Sequence, residues 1–104
     1  MEKADERESV DWIVDQAARF VGMKSASIKT ATPQAKYREQ WQIVAYAAWT
    51  VSESNAAEIG RVMGGADHSR IITARETVRT RMAHEPEFRS KVTKLLEDLR
   101  IALF

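Results

Sequence analysis

EIGRVMGGADHSRIITA, Glu58 to Ala74, joins two apolar-sided runs across a pair of glycines. Ile59, Val62 and Met63 recur at helical spacing, so Ala56 to Met63 reads as one short helix. Asn55 precedes it with Glu58 three positions on, the logic of a capping box. Gly64 and Gly65 stop that helix, because glycine reaches left-handed backbone angles without a Cβ clash. The next helix starts at Ala66 or Asp67 and carries Ile71, Ala74, Val78 and Met82 as its buried stripe, to about His84. A short helix, a glycine turn and a longer helix are the outline of a helix-turn-helix, an outline that ordinary helical hairpins share.

Working outward, the spacing predicts helices on both sides. Ser9 is placed to cap a helix to Val21 whose inner face is Val10, Ile13, Val14, Ala17 and Val21, with Gly22 as its stop. MKSASIKTAT, residues 23–32, reads as a flexible loop from which Ile28 tucks into the core. Thr32 followed by Pro33 is a helix-start signal, and Tyr37, Trp41, Val44, Ala45, Ala48 and Val51 continue at helical spacing, so those aromatics are core rather than a stacking platform. Pro86 opens a last helix with Phe88, Val92, Leu95, Leu96, Leu99 and Leu103 inward; Leu95, Leu99 and Leu103 could instead seal a dimer. Strand-like alternation is missing. The expected fold is all-α, a compact helical domain of four to five helices over residues 9–104 behind an acidic arm, residues 1–8.

Composition narrows the function classes. The chain has 104 residues and no cysteine, which excludes disulfides and thiolate metal sites. Its apolar stretches are too short for a membrane span and its charged start is unlike a signal peptide, so we expect a cytoplasmic, nucleoid-associated protein. The net charge of +1 conceals an asymmetry: Glu2, Asp5, Glu6, Glu8, Asp11 and Asp15 face only Lys3 and Arg7, and the remainder is basic. There is no G-x-x-x-x-G-K-[ST] phosphate loop, and the two histidines, His68 and His84, have no metal-ligand spacing. We expect no enzyme, no cofactor and no metal.

In a DNA-binding helix-turn-helix the first turn of the second helix meets base edges in the major groove. Asp67, His68, Ser69 and Arg70 occupy that turn. Aspartate can accept from a base amino group, histidine can donate to O4, O6 or N7, and arginine can grip guanine with two bonds. The plainer alternatives are an N-cap for Asp67 and solvated first-turn residues for the others. Arg75, Arg79 and Arg81 are either a solvated face or reach phosphates.

The stretch from Glu58 resembles the signature of domain IV, the C-terminal DNA-binding domain of the bacterial replication initiator DnaA, whose pattern is E-I-G, a spacer, then G-G-R-D-H-T-T-V. Glu58, Ile59, Gly60, Gly64, Gly65, Asp67 and His68 fall at its spacing, with Ser69 in place of threonine and Ile71 of valine. The resemblance extends more weakly over most of the chain. It implies base reading by Asp67, His68 and Ser69, with Arg70 added by this chain, and backbone contact by Gln42. Lys29, Lys36, Arg38 and Arg75 are the cations that could extend the backbone footprint. There are departures: Ala66 stands for an arginine, Arg70 for the second threonine, Pro33 and Ala35 for arginines of a minor-groove loop, and Trp49 for a basic residue.

The expectation is therefore a sequence-specific double-stranded DNA-binding protein acting as a transcription regulator. Isolated domains of similar sequence occur among activators of phage-like and gene-transfer-agent genes, where the partner would be RNA polymerase or another transcription protein. The acidic arm and Phe104 are candidate contact surfaces. Two other readings stand beside it: a modulator of replication that binds DnaA boxes, and a protein-interaction module that uses the fold as scaffold.

Overall fold

Helical periodicity in this chain becomes six α-helices and one 3-10 turn among the described residues of the computed structural model, which are residues 9–52 and 54–103, with only the backbone of Leu103. The arm before Ser9 and Phe104 lie outside them, as does the inward side chain expected of Leu103. The helices are α1 Val10–Phe20, α2 Ser25–Ile28, α3 Arg38–Val51, α4 Ala56–Val62, α5 His68–His84 and α6 Pro86–Leu103. No described helix is long and apolar enough to cross a membrane.

The helix ends follow local chemistry. Ser9 Oγ accepts from the Trp12 N–H at 3.1 Å and starts α1. Its other end closes with the Met23 N–H on Ala18 O and the Gly22 N–H on Arg19 O, paired bonds that require the left-handed Gly22, φ +79°. Asn55 Oδ1 accepts from the Glu58 N–H at 2.9 Å and starts α4. Glu85 alone separates α5 from α6, with Pro86 at the first helical position where a missing N–H leaves no bond unmade.

α3 is the central element. It buries Trp41, Ile43, Val44, Ala45, Ala47 and Ala48 and packs against α1 and α5. α4 lies on α5, and α6 closes the bundle against α5, α1 and α3. The small alanines let α3 approach its neighbours, while Ile13, Val14, Ile59, Ile71, Val78, Val92 and Leu99 fill the layer between. Leu95 and Leu99 belong to this core rather than to a free face.

Three expectations are corrected. Among the described residues there are six helices, not four or five, because residues 23–32 contain a helix: Ser25–Ile28 forms one turn that drives Ile28 fully into the core. The same segment is fastened rather than open, since the Trp41 indole Nε1–H donates to Thr30 O at 2.9 Å. Thr32-Pro33 does not start the long helix. Gln34 is extended at φ −61°, ψ 150°, a 3-10 turn follows at Ala35–Tyr37, and α3 begins at Arg38.

Candidate nucleic-acid interface

The turn between α4 and α5 is built from its backbone. The Gly65 N–H donates to Arg61 O at 3.3 Å and the Ala66 N–H folds back onto Gly60 O at 2.8 Å. Gly64 and Gly65 both take positive φ, +82° and +80°. Two of the glycines are also needed for space. A Cβ on Gly60 would sit 2.1 Å from Ala66 O, and one on Gly64 would lie 2.4 Å from Thr30 Cα and 2.6 Å from Ala31 N. Gly65 faces open space, so only its backbone angle asks for glycine.

This turn delivers Asp67 as the N-cap of α5, its Oδ1 accepting from the Ser69 N–H at 3.4 Å. The same oxygen lies 3.0 Å from His68 Nδ1. Asp67, His68, Ser69 and Arg70 are all exposed, while the next residue, Ile71, is fully buried. The first turn of α5 is thus a polar tip anchored by the core directly behind it.

Beside the tip an open cleft of about 410 Å³ runs between α5 and the segment that leads into α3. Ser69, Arg70 and Thr73 line it from α5, and Arg38 and Gln42 from α3. Trp41, Ala74, Thr32 and Pro33 complete the walls. Arg70 Nη1 donates to Ala31 O at 3.1 Å, so this guanidinium ties α5 to the segment before α3. No carboxylate among the described residues lines the cleft.

The cleft brings together four of the residues singled out from sequence: Ser69, Arg70, Gln42 and Arg38. The others lie apart from it. Lys29 pairs with Asp11 at 2.7 Å and Asp15 at 3.2 Å on α1, and the Asp11 bond holds its ammonium above the ordinary lysine range. Lys36 lies 4.9 Å over the Tyr37 ring. Arg75 stacks on Trp49 at 4.2 Å and bonds Glu76 at 2.9 Å. Trp49 is half-buried under that guanidinium, packing between α3 and α5.

Sequence reasoning missed Thr73, Thr32 and Pro33 as cleft residues. Thr73 was within reach, since it follows Ser69 by one helical turn and so shares its side of α5. It also missed a charged node that joins three helices. Glu39 of α3 bonds Arg81 of α5 at 2.7 Å and Lys91 of α6 at 3.0 Å. Arg81 also bonds Glu85 at 3.0 Å and covers the Phe88 ring at 3.8 Å.

Neither the protein-family models nor the curated proteins compared with this chain match it.

Proposed function

We propose that the chain is a sequence-specific double-stranded DNA-binding protein that reads the major groove with the start of α5 and acts as a transcription regulator. The observation that carries this reading is the exposed tip of Asp67, His68 and Ser69, set on a turn whose geometry leaves little freedom and flanked by the cationic cleft. A helix start that stands clear of the core can enter a groove about 12 Å wide, and cations beside it can meet the flanking phosphates. The resemblance of Glu58 to Ile71 to the DnaA domain IV signature supports the same assignment. In this reading α4 and α5 form the helix-turn-helix, and RNA polymerase or another transcription protein is the partner.

Selection of bound sequences from a random duplex library, with wild type and His68→Ala in parallel, tests it. The expected result is a sharp motif that the variant loses, with a cost of about 1–3 kcal/mol on the preferred site and little on random DNA. No enrichment by the wild type would overturn base reading. A selected motif like the DnaA box would move the role from promoters to control of replication.

A further inference from the structure

We propose that the cleft beside the tip seats one phosphodiester group of the bound duplex, gripped by Arg70 and Arg38 together, so that Arg70 contacts the backbone and does not read bases. This rests on the DNA-binding reading above and changes what one of its residues does.

The charge of the cleft points to an anion. Two guanidinium groups line it with no carboxylate among the described residues beside them. The nearby acids have other partners: Glu39 holds Arg81 and Lys91, and Asp67 holds His68 Nδ1 and the Ser69 N–H. Arg38 has no ion-pair partner among the described residues. The remaining polar side chains, which include the hydroxyls of Thr32, Ser69 and Thr73 and the amide of Gln42, can all donate. A phosphate offers only acceptors, and guanidinium forks suit its geometry.

The direction of Arg70 separates it from the tip. Its guanidinium reaches from α5 to Ala31 O, next in the chain to the cleft-lining Thr32, whereas a base reader must extend with Asp67 and His68 away from the body of the domain. A volume of about 410 Å³ admits a phosphate with part of its flanking sugars, for which Pro33 and Trp41 provide apolar wall. Ser69 lies at the rim shared by tip and cleft, which fixes the distance between the gripped phosphate and the bases being read.

The test uses the selected duplex with its phosphodiesters replaced one at a time by neutral methylphosphonates, and measures binding of wild type, Arg70→Ala and Arg70→Lys by fluorescence anisotropy. For wild type one position should be sensitive, losing about tenfold in affinity. For Arg70→Ala the same replacement should cost clearly less than it does in wild type, because only Arg38 and the neutral donors then meet that phosphate. The slope of log affinity against log salt should flatten by about 0.9 in Arg70→Ala and be largely retained in Arg70→Lys. A repeat selection with Arg70→Ala should return the wild-type motif. If instead Arg70→Ala changes the selected bases and stays as sensitive as wild type to every methylphosphonate, the proposal is overturned. If wild type binds no duplex, it is the DNA-binding reading that falls, and the cleft is then judged with inorganic phosphate. Movement of both the Arg38 and Arg70 side-chain Nε–H resonances on millimolar addition would support an anion seat, and still resonances would reject it.

Discussion

Three glycines within six positions do different work, and substitution should rank them. Gly64→Ala meets both a positive φ and backbone atoms of Thr30 and Ala31 at 2.4–2.6 Å, which no rotamer can relieve. Gly60→Ala drives a methyl group to 2.1 Å from Ala66 O and must reopen the turn. Each should cost about 3 kcal/mol or more in urea denaturation, at or beyond the top of the overpacking range. Gly65→Ala has open space and only the left-handed penalty, about 1 kcal/mol. Equal losses at positions 64 and 65 would show that the contact with the segment before α3 does not hold in solution. Asp67→Asn separates two roles of one side chain: asparagine caps a helix as well as aspartate, so stability should stay within about 0.5 kcal/mol while the selected bases change. The glycine pair was legible because its chemistry is local. The need for Gly60 was not, since it depends on where a carbonyl six positions later comes to rest.

At the level of elements, the helices were legible wherever an apolar stripe persists, and α1, α4, α5 and α6 fall within a residue or two of the spacing in the sequence. The segment from Met23 to Tyr37 was not. Thr32-Pro33 has the composition of a helix start, yet Thr30 and Ala31 are held by Trp41 and Arg70, and the chain must stay extended through Gln34 to reach α3. Contacts from outside an element overrode its own preference, and spacing along the chain carries no signal for them. The cleft was half legible for the same reason: its α5 side follows from helical periodicity, and its opposite wall depends on this path. Trp41→Phe keeps a buried aromatic ring while removing the indole donor and part of the ring volume. It should cost about 2 kcal/mol and speed amide hydrogen exchange most in residues 29–34, with little change in the rest of the bundle. Uniform loss of protection over all helices would instead make Trp41 purely a packing residue.

Over the whole molecule, the node at Glu39 joins three helices on ground that the cleft does not use. Its bond to Arg81, and next that to Lys91, hold the Glu39 carboxyl below the ordinary glutamate value of 4.5. The native state therefore binds fewer protons here than the unfolded chain. The contribution is fully present above about pH 4.5 and is lost as pH falls through the lowered native value. Thermal unfolding across that window should show a flatter pH dependence for Glu39→Gln than for wild type, with a loss at neutral pH of no more than about 1 kcal/mol, because the pair is partly exposed. Parallel curves would remove Glu39 from the acid response. The tie between Arg70 and Ala31, 39 positions apart, bears also on the order of events as the chain folds. Closing so long a loop is slow beside the formation of a single helix. The bonds of the turn between α4 and α5 are local, whereas the wall that faces Arg70 is fixed by a contact made far along the chain, so the two are expected to form at different stages of folding.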